Sequence, residues 1–490
     1  MRSNYVAAAV VIAFLTAAGG VAAAYAKSET PAPAPSAATA SHVPDTTRHI
    51  AASGIATSSS GGAYLLADTN PGNSDGIANL QPLVKVGSYV LYASVTPTQG
   101  EELWATQGTS STTKLVKDIN PGATGSDPAN FAVMGKYAYF AATDGTHGTE
   151  LWRSNGMASG TTMVADIYPG ASGSTPAAML VVGSILYFEA FDGVHGYEEW
   201  KTDGTAAGTE LLKDINPGTA SSRDGRVTAT SGGAVYFGGD DGVNGYEPWL
   251  TRGTTASTRM IQSLNSGSTS AARYFMTFNG EEFFQATTAA AGSELWATDG
   301  TTASQLLDIE PGSGGSTPKP LLATSKYLYF SATNDTYGTE LWRTDGTVTG
   351  TQLVKDINPG APSSNALHLI AVGDEVYFGA TDGTYVDELW KTDGSTAGTV
   401  LVKVLSTTSL TDAPFDFAVV GSKVFFDGAD DTDGSQIWVT TGTTSSTKKV
   451  AVIHAGPDGS EPRYLLASAG KLYFYATTPA YGLELWVYKY

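Results

Sequence analysis

The nine tryptophans of this chain are Trp104, Trp152, Trp200, Trp249, Trp296, Trp342, Trp390, Trp438 and Trp486, and successive ones stand 46 to 49 residues apart. A period held over eight intervals restricts the chain to repeat architectures, in which one supersecondary unit is copied and each copy packs against the next. The tryptophans sit inside a repeated phrase. ELWRTDGTVTGTQLVKDINPG (340–360) is matched by ELWRSNGMASGTTMVADIYPG (150–170) and EEWKTDGTAAGTELLKDINPG (198–218). A catalytic motif is needed once, whereas a phrase repeated at fixed intervals is a building rule.

Within one unit, 352–399, the hydrophobic pattern has a period of two. QLVKDI (352–357) reads as a strand, followed by a Pro/Gly loop. LHLIAV (367–372) and EVYFGA (375–380) read as strands joined by a two-residue turn, and ELWKT (388–392) follows after a polar turn. Four strands in about 48 residues match one antiparallel propeller blade. A β-solenoid is the structural rival, but its coils are shorter. No segment has a helical stripe. The expected fold is therefore all-β: a single β-propeller of about nine four-stranded blades over 63–490. The array begins with a strand-like AYLLAD (63–68) and ends on the Trp strand LELWVYKY (483–490). Pairing the two closes the ring and removes the open sheet edges.

The ELWxTDGTxxGTxLVKDINPG pattern resembles the ELWxxDGT repeat family of secreted bacterial proteins, and the resemblance covers essentially all of 63–490. That family is defined by its repeat, so the resemblance implies export and architecture and no particular activity. The strand layout is also similar to that of kelch propellers.

The repeated residues have structural roles. Trp at a fixed strand position buries a large surface between blades, so Trp342→Ala is expected to cost about 3–5 kcal/mol. TDGT and NPG are turn chemistry. Glu102, Glu150, Glu198, Glu247, Glu294, Glu340, Glu388 and Glu484 each stand two residues before a Trp, and Gln436 replaces Glu in the remaining copy. Eight such acids are too many for one active site. Each is expected to accept backbone or Ser/Thr hydrogen bonds at a blade edge, as Gln436 also can. DGTHGTE (144–150), DGVHGYE (192–198), DGVNGYE (241–247) and DGTYVDE (382–388) are acidic loops. Plain turns are the expected reading, with structural calcium as the alternative; none has an EF-hand spacing. No other cofactor is expected.

The N-terminus carries Arg2, an apolar run at 6–18 and AYA (24–26), the pattern of a signal peptide cleaved after Ala26. Residues 27–62 are rich in Pro, Ala, Ser and Thr and read as a flexible linker. No later run is long enough to span a membrane. The chain contains no cysteine, which excludes disulfides, thiol catalysis and a lipobox. Its formal charge is −20, which repels nucleic acid and anionic headgroups. The expected product is a monomer, secreted or periplasmic.

Two residue sets are candidates for ligand contact. One loop position varies from copy to copy: Gln99, His147, His195, Asn244, Ala291, Tyr337, Tyr385, Asp433 and Tyr481. Variation on a fixed frame suits a recognition surface, although loop tips also drift freely. Arg223 and Arg226, then Arg273, then Lys319 fall in three successive interblade loops, a cationic sector suited to a carboxylate or sulfate. No GxSxG, HExxH or P-loop signature occurs, and no catalytic residue is assigned. The leading expectation is a binding module for an extracellular polysaccharide or protein. A polysaccharide lyase or hydrolase working at the channel mouth is one alternative, and a calcium-stiffened envelope or adhesion protein is another.

Overall fold

The structure is a computed structural model that describes residues 62–490 apart from 230–231, 267, 386 and 408–413; the side chains of 223–229 and 387 are also outside the description. The expected signal peptide and all of the linker except Gly62 lie outside the described residues.

Among the described residues, thirty-six short strands form nine four-stranded antiparallel sheets, a nine-bladed β-propeller. Blade 1 holds Val84–Val86, Tyr89–Thr96, Gly100–Thr106 and Lys114–Lys117, and each later blade repeats this meander. Blades 2 to 8 span 129–165, 177–211, 223–260, 273–307, 319–353, 367–406 and 415–451. Blade 9 takes three strands from 463–489 and its outer strand from Ala63–Leu65. The closing pair is antiparallel, with Ala63 opposite Tyr488 and Leu65 opposite Trp486, as the sequence predicts. Among the described residues, helix is confined to four single 3₁₀ turns after Trp strands, such as Ser110–Thr112 and Thr444–Ser446. No helix among them is long and apolar enough to cross a membrane.

The core is divided into nine clusters, one at each seam between neighbouring blades. Phe283, Leu295 and Ile309 of blade 5 meet Phe330 and Trp342 of blade 6. Leu389 and Val402 of blade 7 meet Phe426 and Trp438 of blade 8. Tyr473, Tyr475 and Val487 of blade 9 meet Val90 and Tyr92 of blade 1, so the last seam is packed like the others. Each Trp faces the preceding blade and lies opposite an aromatic of its own second strand, as Trp342 does with Phe330. Eight Trp are buried and Trp104 is half-buried.

A lysine fastens many of these seams. Lys355 lies just beyond the outer strand of blade 6, donates to the Thr399 carbonyl at 3.0 Å and sits 5.4 Å above the Trp390 ring of blade 7. Lys117, Lys213 and Lys403 repeat both contacts on Trp152, Trp249 and Trp438. A desolvated cation over an indole face is attracted by the ring quadrupole, which explains the Lys in LVKD.

The outer strand is shorter than the sequence suggests. In blade 6 only Gln352–Leu353 pairs as strand, where the alternation reads through Ile357. The backbone N–H of Ile357 is taken by the Glu340 carboxylate at 3.2 Å, so the ladder gives way to a side-chain acceptor.

Candidate functional site at the loop end

The meander gives each blade two ends. At the loop end lie the turn before the Trp strand and the loop leaving the outer strand. At the hairpin end lie the turn between the first two strands and the connection after the Trp strand.

The buried acids organise the loop end. Glu340 is fully buried and accepts from Ile357 N–H, from Ser364 N–H at 2.8 Å and from Ser364 Oγ at 2.6 Å. The Ser364 carbonyl in turn accepts from Thr381 N–H of blade 7, so one carboxylate ties a loop to two blades. Glu150 repeats this with Ile167, Tyr168 and Ser174, and Glu294 with Ile309, Glu310 and Ser316. Gln436 accepts from Ile453 N–H and Ser460 Oγ in the same way. Glu388 differs: it accepts from Asp382 N–H and Trp390 Nε1, because its interblade loop lacks the DINPG sequence. Burial raises these carboxyls, Glu198 to about 7 and Glu484 to about 8, despite the donors around them.

Several residues at the varied loop position are engaged within their own turn. His147 Nδ1 lies 2.8 Å from Asp144 Oδ2, and His195 Nδ1 lies 2.7 Å from Asp192 Oδ2. Asn244 donates to Asp241 Oδ2 at 2.8 Å. In each case the partner is the Asp of the same turn, which also accepts backbone N–H bonds. The hydrogen bond to the Asp raises the pKa of each imidazole above its ordinary value. Gln99 accepts from Thr96 Oγ1, and Asp433 pairs with Lys449, which also holds Asp430 at 2.7 Å. Tyr481 packs against the seam between blades 8 and 9. Tyr337 donates its N–H to Asn334 Oδ1 and is half-buried, whereas Tyr385 is exposed. Among the described residues no group of three acidic or histidine side chains is placed to hold a metal ion.

The cationic set falls on strands and not in loops. Arg223, Arg273 and Lys319 each open the inner strand of blades 4, 5 and 6, and Arg226 follows within the first of these. Arg223 and Arg226 have side chains outside the described residues. Arg273 and Lys319 meet on one ring: they lie 5.3 Å and 5.8 Å from the centroid of Tyr274. Arg273 Nε also donates to Gln285 Oε1 at 2.7 Å.

The sequence reading missed a further set at these strand starts. Asn130, Ala178, Tyr274, His368, Asp416 and Tyr464 have positive φ, between 50° and 58°. Each is the second residue of an inner strand, at a register shift such as Arg273/Met276 or Arg463/Leu466. A left-handed non-glycine residue at a bulge re-aims its side chain at a cost, and such residues gather at functional sites. First strands of successive blades lie side by side, so these bulges stand around the channel mouth at the loop end. On blades 7 to 9 they assemble a second node: His368 lies 5.9 Å from Phe415, and Arg463 lies 4.1 Å above Phe415. Arg463 also reaches the buried Asp427 at 3.0 Å, and Asp416 accepts from Tyr464 N–H. Burial pushes Asp427 up to about 8 against the pull of that guanidinium.

Fold and site define a nine-bladed β-propeller whose mouth carries two aromatic–cationic nodes. No protein-family model matches the chain, and no curated protein matches it. Among solved structures it is similar to puromycin hydrolase, at 12% identity and a TM-score of 0.36 over 71% of this chain and 58% of that one. It thus spans little more than half the length of that enzyme. It is also similar to BamB from Moraxella catarrhalis (14% identity, TM-score 0.39, 83% of this chain and 96% of that one). A third likeness is the β-propeller domain of the Trilobed protease from Pyrococcus furiosus (9%, 0.35, 66% and 98%). At such scores these likenesses carry no argument about ligand or activity.

Proposed function

We propose that this protein is an exported propeller that acts as a binding module, holding an extracellular glycan at the channel mouth of its loop end. The observation that carries the reading is the pair of nodes, Arg273–Tyr274–Lys319 and His368–Phe415–Arg463, mounted on strained inner-strand bulges. Aromatic faces offer rigid, amphipathic contact at small entropic cost. The flanking cations suit a carboxylate or sulfate on the sugar. The repeated acids and the loop histidines are engaged with their own frame, which favours binding over turnover.

The test presents the full-length chain to neutral and acidic polysaccharides and scores retained protein and released fragments in the same tubes. Retention without fragments, weakened at least tenfold by Tyr274→Ala or His368→Ala, supports the reading. Fragments that accumulate with time make the protein a lyase or hydrolase. Retention unchanged in both variants removes the mouth from the account, and no retention on any glycan turns it toward a protein ligand.

A further inference from the structure

The hairpin end is not uniform in charge. Across blades 3 to 7 its three lysines are answered by acids, while Arg259 and Arg343 bond the Gly300 carbonyl and Gln352 instead. Lys201 pairs with Glu210 at 2.9 Å, Lys326 with Asp374 at 2.9 Å and Lys391 with Glu375 at 2.6 Å. Across blades 8, 9 and 1 the pattern changes. The segments forming this end, 418–426, 437–449, 466–474, 485–490, 84–92 and 103–115, contain no Asp or Glu. They carry seven lysines: Lys449 is paired with Asp430 and Asp433, and the other six, Lys423, Lys448, Lys471, Lys489, Lys85 and Lys114, form no ion pair with an Asp or Glu. Five of the six are exposed. Lys471, the half-buried one, spans the closing seam by donating to the Gln107 and Gly108 carbonyls of blade 1 at 3.0 Å and 2.9 Å. Burial and the Lys489 charge lower its pKa, a sign of crowding among like charges.

A groove of about 530 Å³ opens within this sector, between blades 8 and 9, lined by Lys423, Lys448, the acid-paired Lys449, Phe425, Tyr488 and Tyr490 among others. Phe425 lies 6.2 Å from Tyr488 and 5.4 Å from Tyr490, which gives the groove an aromatic wall. Lys489, on the alternate face of the same strand, lies 5.8 Å above Tyr64.

We propose that this lysine-lined groove is a second binding surface, at the end opposite the channel mouth, and that it takes a strand of acidic polysaccharide. Cations without acid partners on a molecule of charge −20 form a local attractive field that a polyanion enters with release of its counterions. The chemistry favours a sugar polymer over nucleic acid for two reasons. Duplex DNA carries about one charge per 1.7 Å of axis and is repelled strongly by the remaining acidic surface. A polyuronate carries one charge per sugar ring, spaced between apolar ring faces that can lie on Phe425, Tyr488 and Tyr490. The sector is also built from lysine, a compact point charge suited to single carboxylates, where phosphate recognition favours the bidentate fork of arginine.

The test titrates the full-length chain with polygalacturonate, and compares neutral dextran, duplex DNA and phosphatidylserine vesicles at several salt concentrations. Polygalacturonate is expected to bind, and the triple variant Lys423→Gln/Lys448→Gln/Lys489→Gln to bind at least tenfold more weakly with a shallower salt slope. Lys326→Gln/Lys391→Gln, on blades 6 and 7, should bind as the parent does. Thermal melting of both variants reports that the propeller is intact. Equal binding by the triple variant, or binding to DNA or vesicles as tight as to polygalacturonate, overturns the proposal. Because Tyr274→Ala acts at the other end, the channel-mouth reading and this one fail separately.

Discussion

The loop end and the hairpin end are built by the same repeat, yet they use charge in opposite ways. At the loop end carboxylates are internal fasteners: Glu340 is fully buried and saturated with donors from Ile357 and Ser364. At the hairpin end of blades 8, 9 and 1 six of the seven lysines have no carboxylate partner, and five of those six face water. A charge copied in every blade belongs to the frame. A charge that appears in one sector only is available to a partner.

The largest expected effect comes from removing a fastener. Glu340→Ala orphans three donors, each worth about 1–3 kcal/mol when left buried, so a loss of about 3–9 kcal/mol is expected in urea unfolding. Glu340→Gln keeps the acceptor that Gln436 provides naturally in blade 8, and its loss should be less than half as large. Equal losses for the two variants would contradict the fastening role.

A second effect is on pH. Glu198, Glu282, Glu484 and Asp427 are pushed up to between about 7 and about 8 by burial. Unfolded, they lose their protons near the ordinary carboxylate range, so between there and about pH 8 the folded state binds more protons. Stability therefore falls as pH rises through this window. The melting temperature should be several degrees higher at pH 6 than at pH 9, and a rise with pH would sink this assignment.

Smaller effects separate the two kinds of lysine. Lys355→Met removes a cation over Trp390 and a bond to the Thr399 carbonyl, and should cost about 1–2 kcal/mol. Lys423→Gln and Lys448→Gln, at exposed positions without acid partners, should change stability by no more than about 0.5 kcal/mol.

Much of the frame is legible in the sequence because it rests on period. The Trp interval counts the blades, the alternation orients their strands, and the unmatched AYLLAD foretells the closing pair. That Glu102 and its equivalents are structural acceptors is legible from their number; that they are fully buried is not. What escapes is local geometry with no residue signature. Tyr274, His368, Asp416 and Tyr464 adopt positive φ where no glycine marks the bend. Arg463 acts through Phe415 and Asp427 of another blade, a contact that only the packing of blade 9 against blade 8 creates. His147 and His195 look like free loop tips in the sequence, but each faces the Asp three residues before it. The charge contrast between the ends was within reach, since strand alternation fixes which turns share an end.

The most direct test of the contrast is amine-specific labelling of the native full-length chain, followed by mass spectrometry lysine by lysine. Lys423, Lys448 and Lys489 should label at least tenfold faster than Lys355 and Lys403, which are tied to Thr399 and Thr447 carbonyls beneath the seams. Equal rates in the two groups would mean that the seam lysines are as free as the others, and would contradict the division between charges of the frame and charges left for a partner.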